Sequence, residues 1–120
     1  MATEGRYKVL VCGAREYTNH LKIYERLAQL PAKSFIIEGG AAGADTIAAI
    51  FAKEHGWPCI HVEANWKFYG KSAGHIRNAW MLDLEPNIVL AFHPNISESK
   101  GTKNCVEKAK KLGIPVEINT

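Results

Sequence analysis

The sequence predicts a single α/β domain, a three-layer, Rossmann-like architecture around a parallel sheet of about five strands. Three observations carry that expectation. Five short apolar runs recur along the 120 residues. Segments with apolar positions at i, i+3, i+4 and i+7 separate them. Glycines, prolines and polar clusters mark each change of pattern. Strands alternating with helices at this spacing read as βαβ units, whose crossovers leave the strands parallel.

The elements follow in order. "YKVLVCG" (7–13) reads as a buried strand ending at Gly13. "AREYTNH" is a polar loop. Asn19 is placed to cap a helix running to about Leu30, with Ile23, Leu27 and Leu30 on one face, and Pro31 ends it. "SFIIE" (34–38) is the second strand. A helix begins near Gly43, with Ala44, Ile47, Ala48, Phe51 and Ala52 as its apolar stripe and Gly56 as its stop. "WPCIHVE" (57–63) is the third strand. "ANWKFYGKSAG" reads as a long loop running into a helix through about Leu84, with Ala73, Ile76, Trp80 and Leu84 on the core side, and Pro86 breaks it. "NIVLAFH" (87–93) is the fourth strand, and "PNISESKG" a polar loop. A lysine-rich helix covers roughly 102–112, with Val106, Ala109 and Leu112 inward, and "PVEI" closes the sheet.

Composition narrows the function classes. Hydrophobic residues make up 47% and charged residues 22%, an ordinary globule. The formal charge of +3 suits a small anionic ligand and argues against nucleic acid, since no Lys/Arg cluster is interleaved with aromatics. No run approaches a membrane span. The start "MATEGRYK" has no apolar core of a signal peptide, so a cytoplasmic location is expected. Cys12, Cys59 and Cys105 are odd in number and lack a CxxC spacing, which reads as core thiols.

In an open parallel sheet, ligands bind beyond the carboxyl ends of the strands. Four loops sit there: 13–18, 39–45, 64–75 and 93–102. Of these, "IIEGGAAGAD" (36–45) is the most pointed. Gly39, Gly40 and Gly43 leave backbone amides uncovered at a helix start, a ready anion site. Asp45, in the first turn, would repel a phosphate placed directly on it, so it is expected to take ribose hydroxyls or steer Arg15. The alternative is a tight turn with glycines for packing alone.

"NWKFYGKS" (65–72) imitates a phosphate-binding Walker loop but has Asn65 where a glycine is required, and Trp66, Phe68 and Tyr69 where small residues belong. An ATPase is therefore not expected; the aromatics either cover a base or pack the loop. Gly74 lies one turn before Arg77 and Asn78, clearing space beside a guanidinium suited to phosphate. Arg15, and Gly101 with Thr102 at the start of the last long helix, complete the candidates. No GxGxxG follows the first strand, and the histidines show no ligand spacing, so neither a dinucleotide cofactor nor a metal is expected.

"VLVCGAREY", "IIEGGAAGAD", "NWKFYGKSAGHIRN" and "LAFHPNISESKGT…AKKLGIPV" together resemble the YspA-type branch of the SLOG superfamily, over residues 7 to 118. That family is similar in turn to the lonely-guy phosphoribohydrolases and to the Rossmann-like domain of DprA. The resemblance implies a Rossmann-like fold and a ligand derived from a nucleotide, often a signal in bacterial or phage conflict. Its pocket motifs fall on Gly13 and Arg15, on Gly39, Gly40, Gly43 and Asp45, on Trp66, Lys71 and Gly74, on Arg77 and Asn78, and on Gly101 and Thr102. Position 38, commonly histidine in this branch, is Glu38, and position 14, commonly serine, is Ala14. Where the hydrolases carry a carboxylate three residues after their threonine, this chain has Cys105.

The expected protein is thus a sensor or sponge. Amides of 39–45 hold a phosphate; Arg15, Lys71 and Arg77 neutralise it; Trp66 or Tyr69 packs on a base; Asp45 or Asn78 accepts ribose hydroxyls. The competing class is an N-glycosidic hydrolase using Asp45, Glu16 or Glu38. Single-stranded DNA binding is a weaker third reading, and a homo-oligomer is compatible with all three.

Overall fold

A computed structural model describes residues 5–120; the first half of the stretch "MATEGRYK", read above for a signal peptide, lies outside them. Five strands, β1 (Lys8–Gly13), β2 (Phe35–Glu38), β3 (Cys59–His61), β4 (Ile88–Phe92) and β5 (Val116–Asn119), form one parallel sheet in the order β3-β2-β1-β4-β5. The helices are α1 (His20–Ala28), α2 (Ala44–His55), α3 (Trp66–Tyr69), α4 (Ala73–Leu82) and α5 (Lys100–Lys111).

The three layers follow from the two-residue period of β1. Val9 and Val11 face one way, into a cluster with Ile23, Leu27, Ile47 and Phe51 of α1 and α2. Leu10 and Cys12 face the other way, against Met81 and Leu82 of α4 and Cys105, Val106 and Ala109 of α5. Both faces are covered, so the central strands are apolar without alternation. After β3 the chain crosses the sheet to β4, and the helices change sides. Strand order therefore reverses between β1 and β4, and the loops leaving these strands part to form a crevice.

Local chemistry sets the helix ends. Asn19 Oδ1 accepts the Lys22 N–H at 3.1 Å, the expected cap of α1. Gly56 closes α2 in the left-handed region at φ 68°. Ser99 Oγ accepts the Thr102 N–H at 3.0 Å, so α5 starts two residues earlier than its apolar pattern suggests.

Other expectations need correction. β3 is a three-residue edge strand, and Cys59 on it is exposed rather than a core thiol. The loop expected over 64–75 contains α3 and a 3₁₀ turn over Gly70–Ser72, with Asn65 Oδ1 capping α3 at 3.0 Å from the Phe68 N–H. A further 3₁₀ turn covers Ile96–Glu98. On α4 the buried residues are Ala73, as expected, with Gly74, Asn78, Met81 and Leu82; Ile76 is only half-buried and Trp80 is exposed, because Met81 and Leu82 are the residues that pack on the sheet. Leu112 is exposed because α5 ends before it, and Ile114 packs on that side instead.

Candidate functional site

The crevice at the switch in strand order opens into a cavity of about 890 Å³, within the size range of small-molecule sites. Its walls come from all four suspected loops. Gly13, Arg15, Gly39, Gly40, Asp45, Trp66, Lys71, Gly74, Arg77, Asn78, Gly101 and Thr102 all line it. Gly43 does not. A Cβ there would run into the carbonyl oxygens of Ala14 and Arg15, and its φ is +77°, so Gly43 lets two loops pack backbone to backbone.

The glycine loop is held by the protein's own groups. Gly39 N–H donates to Asp45 Oδ2 at 2.8 Å, and Gly40 N–H donates to Glu38 Oε1 at 2.6 Å. These two amides are thus not open donors, contrary to the expected cradle. The guanidinium of Arg77 lies over Gly39 and donates from Nη1 to its carbonyl oxygen at 2.6 Å. The His61 ring lies over Gly40, whose φ is +76°. For an anion there remains the start of α2, where no side chain caps the first-turn amides.

Asp45 is 4% exposed and its carboxyl is raised from the ordinary 3.8 to about 7. Burial is the main cause and the nearby Glu38 charge adds to it; the Gly39 N–H and the Arg77 charge oppose it. Near neutral pH the group is partly protonated, which reduces its repulsion of a phosphate. Its first role is to brace Gly39, rather than to steer Arg15.

Asn78 is committed as well. Its Oδ1 accepts Arg77 Nε–H at 3.1 Å, and its Nδ2 donates to Gly101 O and Asn104 Oδ1, each at 3.1 Å. It ties α4 to α5 and has little capacity left for ribose hydroxyls. The Thr102 amide is taken by Ser99, and Thr102 lines the cavity as a mostly buried residue. Gly74 admits the Trp66 ring, which a Cβ would crowd at 3.2 Å. Trp66 is therefore the aromatic wall; Tyr69 and Phe68 lie outside the cavity. Arg15 and Lys71 stand exposed at the rim, joined by Lys100.

Cys12 on the cavity floor is held as a thiol: hydrogen bonding with the neighbouring Cys105 thiol and burial both push its pKa up. Cys105, in the hydrolase carboxylate position, is in the core and does not line the cavity.

One pair escaped the sequence reading. Glu38 is 2% exposed, and His61 Nδ1 lies 2.9 Å from its Oε2; that bond is the main cause raising the imidazole pKa. The two residues are direct neighbours in the β2–β3 register. Aligning "SFIIE" with "PCIH" as parallel strands would have found them. The pair explains the unusual glutamate: it satisfies the Gly40 amide and an imidazole together.

Residues 7–69 match the YspA, cpYpsA-related SLOG family (YAcAr). The chain is 34% identical over 119 residues to the Gene 61 protein of Mycobacterium phage D29, covering 91% of this chain and 93% of that one. Its fold is similar to the X-ray structure of DNA processing protein A (DprA) from Streptococcus pneumoniae, with a TM-score of 0.75 and 20% identity. That match covers 94% of this chain and 50% of the DprA chain, so the chain spans half the length of that relative.

Proposed function

The chain belongs to the YspA, cpYpsA-related SLOG family, and from that premise we propose that it binds an anionic nucleotide-derived molecule as a sensor or sponge. The observation that carries the reading is the balance of charge around the cavity. Arg15, Lys71, Arg77 and Lys100 line it against Glu16, Glu63 and an Asp45 whose carboxyl is partly neutral near pH 7. Phosphate oxygens would meet the first-turn amides of α2, with Arg15 and Lys71 closing from the rim. Trp66 supplies a ring for a base, and the Thr102 hydroxyl a partner for a sugar. A phage relative agrees with a molecule that intercepts a host signal.

The test is a panel of nucleoside monophosphates, diphosphates and dinucleotides, read by calorimetry and by mass spectrometry of molecules released from the denatured protein. Micromolar binding of one class, with the molecule released unaltered, is expected. A panel without binding, and no co-purifying small molecule, would overturn the proposal.

A hydrolytic reading is favoured by one observation, a cavity-lining carboxyl raised to about 7. Its mark would be free base produced over many turnovers and lost in Asp45→Asn. DprA is a DNA processing protein, which suggests a third arm: single-stranded DNA binding with a steep salt dependence.

A further inference from the structure

Helix α4 carries apolar residues on two sides, and the domain fully covers only one. Gly74, Asn78, Met81 and Leu82 are buried. Ile76, Ala79 and Trp80 fall at i, i+3 and i+4 on another side of the helix, Ile76 and Ala79 half-buried and Trp80 exposed. Trp80 is 41% exposed. The exposed surface continues onto α3 through ring contacts: Tyr69 lies 6.0 Å from Trp80, and Phe68 lies 4.8 Å from Tyr69, centroid to centroid. Phe68 is 77% exposed and Tyr69 37%. Three adjoining rings left in water are an unpartnered surface, not scattered exposed residues.

We infer that this α3–α4 face is the interface of a two-fold dimer of the chain, with the α4 helices packed antiparallel. The charge pattern selects a second copy. Lys67 and Lys71 stand at the amino end of the face, and Asp83 stands at the carboxyl end, all exposed. Neither Lys71 nor Asp83 makes an ion pair within the described residues. A two-fold axis near Trp80 brings the basic end of each face onto the acidic end of the other, so the face complements itself. Antiparallel helices also align their dipoles favourably. Ala79, between Ile76 and Trp80, is small enough to let the two helices approach.

The area is of the right order. At the 150–250 Å² that an aromatic side chain can bury, the exposed parts of the three rings amount to roughly 300 Å². Ile76, Ala79 and the charged ends surround them, against about 800 Å² per partner in a standard interface. Trp66, on the same short helix α3, and Lys71 line the ligand cavity, so the interface meets the site at its rim.

The test is sedimentation equilibrium of the full chain over a wide concentration range, and it needs no ligand. The wild-type chain is expected to sediment at twice the mass of one chain. Phe68→Glu and Trp80→Glu are each expected to raise the dissociation constant about 100-fold, as removal of a central aromatic anchor does, with circular dichroism and melting of the separated chains unchanged. Lys71→Glu and Asp83→Lys are each expected to weaken association about tenfold, and the double substitution to restore it, since both charges then reverse across the axis. A wild-type chain that stays single at high concentration would overturn the inference. So would a dimer indifferent to both aromatic substitutions, which would place the interface elsewhere.

Discussion

Asp45 shows how one residue serves two demands. Its carboxylate must accept the Gly39 N–H to hold the loop, and it must do so inside a cavity suited to anions. Burial settles the matter by favouring the neutral acid. The sign of the linkage follows. The folded pKa lies above the unfolded one, so the folded state holds the proton more tightly. The associated stability is present in full below about 3.8 and is lost as pH rises to about 7. A carboxyl raised over that range corresponds to roughly 4 kcal/mol. Urea denaturation is therefore expected to show the wild-type chain losing up to about that much between about pH 4 and about pH 8, in excess of any loss in Asp45→Asn. An asparagine keeps the acceptor for Gly39 and cannot ionise. Identical pH profiles for the two chains would remove the carboxyl from this role.

Gly40 makes a second point at this scale. The glycines were legible as positions without room for a side chain, but what fills the space was not. The ligand reading had a molecule approaching the amides; the structure puts Arg77 over Gly39 and His61 over Gly40. Gly40→Ala is expected to destabilise the fold by about 1–3 kcal/mol, from a strained φ and a displaced imidazole. His61 is half-exposed and can swing away if it gives up Glu38, so part of the penalty should vanish in the Gly40→Ala/His61→Ala chain. Purely additive effects in a double-mutant cycle would show that the ring and the methyl group do not compete.

At the scale of elements, ends were legible and faces less so. Asn19 and Gly56 mark α1 and α2 because capping depends on a few adjacent residues. The face of α4 was misread because it has apolar residues on two sides, and periodicity alone does not say which side meets the sheet. Met81 and Leu82 meet the sheet, Gly74 makes room for the Trp66 ring, and Trp80 is left outside. That orientation aims Arg77 across the cavity at the β2–α2 loop. Arg77 is thus a brace as well as a candidate anion ligand, and its removal is not expected to spare the fold. Arg77→Ala should lower unfolding free energy by about 1–3 kcal/mol by leaving the Gly39 carbonyl and Asn78 Oδ1 without their partner. Arg77→Lys should recover part of that stability, since an ammonium can reach one acceptor but not span both. Wild-type stability in Arg77→Ala would mean that the bond to Gly39 O contributes nothing.

The whole molecule is where the sequence was most informative. Alternating patterns give parallel strands, parallel strands need crossovers, and all the polar loops then fall on one edge. No strand order had to be known to group 13–18, 39–45, 64–75 and 93–102; the order β3-β2-β1-β4-β5 then opens the crevice among them. What remained illegible were contacts across long sequence separations, such as Asn78 with Gly101 and Asn104. A ligand in this cavity would join loops supported by both helical layers, so its binding should be felt as stability of the entire domain. At one hundred times its dissociation constant, a ligand adds about 2.7 kcal/mol, which for a chain of this size raises the melting temperature by roughly 10 °C. Arg15 and Lys71 allow binding to be separated from folding. Their side chains make no hydrogen bond or ion pair among the described residues. Arg15→Ala should therefore leave the melting temperature of the unliganded protein within about 2 °C of wild type, and Lys71→Ala should do so at dilutions where the chain is single, since Lys71 also stands at the proposed dimer interface. Each should weaken binding by about 1.5–3 kcal/mol through loss of a charge-assisted bond. The comparison requires one protein concentration throughout, because self-association shifts melting in the same direction. Two variants that melt normally and still gain the full shift from a phosphorylated ligand would place its anion away from this rim.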